Sequence, residues 1–320
     1  MSESEQRAIL TIALMTAFSD GMNDERERIA VEKLTKDMNA PGLDTASIYQ
    51  DVLLRKPALE DVVKPLGTPQ SRQLAYEMAV GVAHADGATS ATESAFLANL
   101  AAALGVAAPA AQSYVATANA IATTAVAATM ATSASSAVTT PPTAARPTPD
   151  AAQLEQQIVN AAITNAALEL LPESLASMAI IPLQMKLVYR VGQAYGYELD
   201  SGSVKDFLAT LGVGLTAQYL EQFGRKLLGG LLGSIAGGIG RSIGNQVASS
   251  GMAFASTWAL GQVAVQYYSG GRTLDADKLR AAFGPMVTQA RELGTRYARQ
   301  IQQRAQSIDL KNLPAMIGRA

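Results

Sequence analysis

Apolar positions along this chain recur mostly at spacings of three and four, the period of a helix with one buried face. Residues 5–18 predict an amphipathic helix, with Ile9, Leu10, Ile12, Ala13 and Leu14 among its buried positions. A second helix is expected over 24–38 and stops at Pro41-Gly42, a pair that breaks helical pattern. Short helices follow over 44–54 and 58–65, then longer ones over 70–85 and 90–103. Residues 101–131 are so rich in Ala, Thr and Ser that helix is compatible with them but poorly fixed. The composition favours helix and shows little alternation of the kind strands need. The expected class is all-α.

The pattern lapses from Thr132 to Pro149. The run SASSAVTTPPTAARPTP has no period and holds prolines at 141, 142, 147 and 149, so a disordered or extended linker is expected. It divides the chain into a helical bundle at 1–115, an Ala/Thr/Ser/Pro-rich linker at 116–150 and a second helical domain at 151–320. In the second domain a helix over 151–171 ends at Pro172. Pro182 suits the start of the next, which runs through Leu183, Lys186, Leu187, Arg190, Val191 and Ala194 and ends at Gly196. Asp200, Ser201 or Ser203 caps a further helix holding Phe207, Leu208 and Leu211.

One segment occurs twice. Ala17-Phe18-Ser19-Asp20-Gly21, with Glu27 and Leu34, returns 66 residues later as Ala83-His84-Ala85-Asp86-Gly87, with Glu93 and Leu100. Such a repeat makes the first third of the chain a helical bundle with internal duplication. Two readings of its carboxylates stand side by side. In one, each Asp-Gly closes a helix and the next begins with a capping box, Asp24 with Glu27 and Ser90 with Glu93. In the other, Asp20, Asp24, Glu27, Asp86 and Glu93 form an acidic surface for a divalent cation, because hard cations want clustered oxygens. Ser90 stands where the first copy has Asp24 and weakens the symmetry of such a site. The alternating ligand spacing of a calcium-binding helix-loop-helix is absent.

Composition removes several chemistries. The chain has no Cys and one His, so thiolate sites, disulfides, His-based triads and multi-His metal sites are not built within one copy. His84 has no base–nucleophile partner that can be named beside it. The net charge of −2 conceals a gradient. Residues 1–100 hold 9 basic and 15 acidic side chains, and residues 272–320 hold 9 and 4. A cationic tail beside an uncharged apolar stretch points to anionic lipid rather than nucleic acid, for which there is no motif or stacking platform. The start, MSESEQRA, lacks the basic region of a signal peptide, so a cytoplasmic protein is expected.

The uncharged stretch has two parts. Fourteen residues, LLGGLLGSIAGGIG, lie between Lys226 and Arg241. As a helix they reach about 21 Å at roughly 1.5 Å per residue, short of a hydrocarbon core of about 30 Å. Thirty more lie between Arg241 and Arg272 and include Asn245, Gln246, Gln262 and Gln266, which are costly against lipid. Gly229, Gly233 and Gly237 recur every fourth residue, as do Gly240 and Gly244, and this spacing lets helices approach closely. A re-entrant or monotopic membrane hairpin is expected, with a tightly packed soluble helix pair or a flexible Gly-rich loop as its alternatives. Trp258, Tyr267 and Tyr268 suit either a membrane interface or a core. The Gly-Lys-Ser/Thr ending of a phosphate loop is missing.

Two resemblances add to this. AFSDGMNDERE and AHADGATSATE, over about residues 5–115, resemble the TerB-like helical fold of tellurite-resistance proteins and the DjlA N-terminus. In that family the acidic residues after Asp-Gly are proposed to hold a divalent metal, which here implies Asp20, Asp24, Glu27, Asp86 and Glu93. IIPLQMKLVYRVGQAYGYEL, GRKLLGGLLGSIAGGIG and TWALGQVAVQYY, in that order over about 165–285, resemble the YcjF-like GTPase-associated domain of unknown function. That resemblance implies a helical domain at the inner face of the cytoplasmic membrane, with a GTPase or other membrane-stress protein as partner. The function expected is a non-enzymatic adaptor or stress-response protein that couples an acidic, metal-binding module to an anionic membrane. The alternative is a structural protein that forms homo-oligomers through its Gly-rich helices to shape or coat membrane.

Overall fold

The computed structural model describes residues 1–20, 29, 31–32, 43–85, 89–134, 148–171, 174–211, 220, 251–309 and 313. Most of these residues are helical, with an isolated bridge residue at Leu43 as the only extended pairing among them. The all-α class is therefore correct. Contacts divide the chain into two compact units.

The first unit includes Met1–Ala122 and Pro172–Met178. Its helices are α1 (Glu3–Ala17), α2 (Thr45–Leu53), α3 (Leu59–Val62), α4 (Pro69–Ala83), α5 (Ala91–Leu104), the start of α6 (Ala108–Ala134) and, later in the chain, α8 (Ser174–Met178). Ser2 opens α1 with a capping box: its hydroxyl accepts from the Glu5 N–H at 3.2 Å and its own N–H donates to the Glu5 carboxylate at 2.8 Å. Ile9, Leu10, Ile12, Ala13 and Leu14 are all buried, as their spacing predicts. They pack on α4, which contributes Ala75, Tyr76, Met78, Ala79 and Val80 to the core. Each such Leu, Ile or Met stabilises the unit by about 1.5–3 kcal/mol through burial. Gly105 closes α5 with a left-handed φ of 67°, the conformation that glycine adopts without strain.

Helix α6 enters the expected linker. It stays helical to Ala134, inside the 116–150 stretch assigned to linker. Alanine has the best intrinsic helix propensity and no side-chain entropy to lose. The Ala-rich composition therefore outweighs the weak apolar period as far as the Pro-rich run, of which 135–147 lie outside the described residues.

The second unit includes α7 (Ala151–Leu170), α9 (Ile180–Ala194), α10 (Ser201–Thr210), α11 (Gly251–Ser269), α12 (Ala276–Arg296) and α13 (Ala298–Ser307). Asp200 caps α10 by accepting the Ser203 N–H at 2.7 Å, and Gly196 has a φ of 75° after α9. Helix α11 is central and packs on α7, α9 and α12. Its residues Phe254, Ala255, Thr257, Trp258, Ala259, Leu260, Val263, Ala264 and Tyr268 are buried against protein. The described part of the run between Arg241 and Arg272 is thus a core helix rather than a lipid-facing arm of a hairpin. Its lack of charge follows from burial on several sides. Among the described residues no helix is long and apolar enough to cross a membrane.

Candidate functional site

The acidic repeat is only partly described. Asp24, Glu27 and Asp86 lie outside the described residues, as do Gly229, Gly233, Gly237, Gly240 and Gly244. Asp20 is exposed after the end of α1. Glu93 occupies the third position of α5. Its carboxylate accepts from the Ser90 N–H at 2.7 Å while the Ser90 hydroxyl accepts from the Glu93 N–H at 3.1 Å. The capping reading of Ser90 and Glu93 is therefore correct. Among the described residues, no group of three His, Asp or Glu side chains is arranged to hold a metal ion.

Both helices before the Asp-Gly pairs end earlier than expected, at equivalent positions. The Phe18 N–H donates to Leu14 at 3.0 Å and the His84 N–H to Val80 at 3.2 Å. Their backbones agree closely, at φ −99°, ψ 5° and φ −101°, ψ 10°. The next residues, Ser19 and Ala85, donate to Thr16 and Val82, each at 3.1 Å. The His84 Nδ1–H also donates to the Val80 carbonyl at 2.8 Å, and the ring is buried. His84 therefore reinforces a helix end, deeper in the protein than its place beside a turn suggests.

The second unit brings together polar residues that the sequence did not single out. Helices α7 and α11 run antiparallel, with a polar seam between them. Glu169, buried near the end of α7, accepts the Ala253 N–H in the first turn of α11 at 2.9 Å. It thereby satisfies one of the amide donors that a helix start leaves open. One turn away, Asn165 Nδ2 donates to Thr257 Oγ1 at 2.9 Å, and Gln184 Nε2 from α9 donates to the same oxygen at 3.0 Å. Gln184 also reaches Ser256 Oγ at 3.3 Å. Farther along, Gly261 lies against Ile158, so that a Cβ there would stand 2.6 Å from Ile158 Cγ2. Glu155 accepts from Trp258 Nε1 at 3.1 Å and from Gln262. Of the three rings proposed for a membrane interface, Trp258 and Tyr268 are core residues.

Two further features carry charge. Lys186 is buried on α9, and desolvation, with Arg190 one turn on, pushes its pKa down to about 8. At the end of α11, Tyr197, Phe207, Tyr267 and Tyr268 cluster with ring centroids 5.1–6.0 Å apart. The Arg272 guanidinium lies 5.9 Å from the Tyr197 and Tyr267 ring centres. Burial raises the Tyr268 pKa. The sequence signal for the seam was present: Asn165 and Glu169 stand four apart on an apolar helix, the spacing that puts both on one face. Nothing in the sequence names Thr257 as their acceptor.

No family model, curated protein or solved structure matches this chain.

Proposed function

We propose that the chain is a non-enzymatic, membrane-associated adaptor of the cytoplasmic face. In this reading the acidic repeat near the start of the chain takes a divalent cation, and the Gly-rich run holds the chain at the bilayer. The single observation that carries it is the run of 14 uncharged residues between Lys226 and Arg241, with Gly229, Gly233 and Gly237 at every fourth position. It is too short to span as one helix, and its flanking cations suit a segment that enters and leaves on the same, negatively charged side. Because α11 is buried against α7, α9 and α12, the reading confines insertion to the Gly-rich run. The resemblances to TerB-like and YcjF-like domains support the same assignment and imply a GTPase or membrane-stress protein as partner.

The test is flotation of the full chain with vesicles of neutral lipid, with and without added anionic lipid. Apolar insertion resists salt, because screening acts on charges. A fraction that floats with neutral vesicles at high salt supports the reading. A chain that stays soluble without detergent and floats with neither vesicle overturns it.

A further inference from the structure

We infer that the outward face of α13, with the end of α12, is an electrostatic docking surface for the phosphate-bearing headgroups of an anionic membrane. The inference rests on the membrane reading above but assigns a different contact, polar and reversible rather than inserted.

The face is defined by what lies beneath it. Helix α13 packs on α7, with Ile301 buried and Ala298, Gln302, Ala305 and Ile308 half-buried. Arg299, Gln300, Gln303, Arg304, Gln306 and Ser307 are exposed. Arg296, the last residue of α12, is exposed immediately before them. From Leu293 to Ile308 the sequence has no carboxylate.

This contrasts with the start of α12. There Lys278 pairs with Asp275 at 2.9 Å, and Arg280 pairs with Asp277 at 3.7 Å while donating to the Thr210 carbonyl. Arg291 is directed to Met252 Sδ at 3.0 Å. Arg296, Arg299 and Arg304 form no ion pair among the described residues. Three guanidinium groups are thus held on a helical surface whose other exposed side chains from Leu293 to Ile308 are neutral, with the exposed carboxylates Glu292 and Asp309 at its two ends. Guanidinium matches phosphate oxygens through paired N–H donors, and unpaired cations near an anionic leaflet gain attraction at no cost in broken ion pairs.

A membrane fits this face better than nucleic acid. The one ring beside it, Tyr297, is half-buried and stacks on Phe254 at 5.7 Å, so it is not offered to a base. Among its described residues this unit carries no glycine-rich phosphate loop or groove-reading element.

The test uses the full chain with Arg296→Gln, Arg299→Gln and Arg304→Gln combined, beside a variant with Lys at the same three positions. Melting curves of both should match the parent, since the side chains are exposed. Vesicles containing phosphatidylserine should bind the Gln variant about a hundredfold more weakly than the parent, at roughly fivefold per cation. The Lys variant should retain most of the binding, and salt should remove the difference. Equal binding of parent and Gln variant overturns this inference and leaves insertion untouched. Loss of binding to anionic vesicles with no binding to neutral ones supports this inference and removes insertion. A parent that ignores vesicles but shifts duplex DNA through these arginines overturns both.

Discussion

Asn165 and Thr257, 92 residues apart in sequence, are joined by a hydrogen bond of 2.9 Å in the core of the second unit. Thr257 Oγ1 also accepts from Gln184 at 3.0 Å, and all three side chains are at most 1% exposed. One hydroxyl therefore ties α7, α9 and α11 together. Replacing Thr257 by Val keeps the shape but leaves two buried amide groups without this acceptor. Each such loss costs about 1–3 kcal/mol. Thermal or urea unfolding of Thr257→Val should show a loss of about 2–4 kcal/mol. Combining it with Asn165→Leu and Gln184→Leu should recover a large part of that loss, because the unpaired groups go with the seam. A Thr257→Val protein as stable as the parent would show that the three residues are not coupled.

The helices themselves were legible in the sequence, because burial imposes a period. Ile9, Leu10 and Leu14 fell on the core face as expected, and Gly196 and Asp200 mark real helix ends. Partners across the fold were not legible. Nothing local distinguishes a run that is uncharged because it meets lipid from one that, like α11, is uncharged because protein surrounds it. Of the proposed site residues, Glu93 could be read through the capping box, a local motif. The burial of Lys186 and Glu169 was not legible, since the cost of burying charge is relieved only by tertiary neighbours.

Gly261 sets the separation of α7 and α11. A Cβ at this position meets Ile158 Cγ2 at 2.6 Å and Cγ1 at 2.9 Å, and Ile158 is buried. Gly261→Ala should lower stability by about 1–3 kcal/mol through overpacking. Ile158→Ala alone should cost about 2–5 kcal/mol as a cavity. The double variant should cost clearly less than the sum, since the new methyl occupies space the isoleucine has left. Additive losses would mean the helices separate rather than interlock here.

Lys186 gives the second unit a pH dependence of definite sign. Its pKa falls from 10.5 to about 8 on folding, chiefly by desolvation. Between those values the unfolded chain holds the proton and the folded chain does not, so stability rises with pH from about 8 upward. The gain is at most about 3 kcal/mol. Burial acts oppositely on Tyr76 and Tyr268, whose raised pKa values favour the protonated phenol in the fold, so stability falls again above about pH 10. Unfolding free energies of the full chain should peak between these limits. Lys186→Met should flatten the rise and stabilise the protein at neutral pH. A parent whose stability is level from pH 7 to 9.5 would show that the Lys186 charge is solvated.

The acidic repeat separates into architecture and ligand binding by experiment. Ser90 and Glu93 cap α5 reciprocally, so Ser90→Ala should cost about 0.5–2 kcal/mol with or without metal. Glu93→Gln should be nearly neutral, because glutamine closes the same box. A divalent cation held by Asp20, Asp24, Glu27, Asp86 and Glu93 predicts more. Melting of the full chain should rise with added Ca²⁺, Mg²⁺ or Zn²⁺, by about 2.7 kcal/mol at a hundred times the dissociation constant. Asp20→Asn with Asp86→Asn should abolish that rise, and Glu93→Gln should now reduce it while leaving metal-free stability alone. The last pair of results is decisive, since a capping residue responds to hydrogen bonding and a ligand to charge. Calorimetry with no heat from any of the three ions, and melting curves that ignore them, would leave the repeated carboxylates as helix caps.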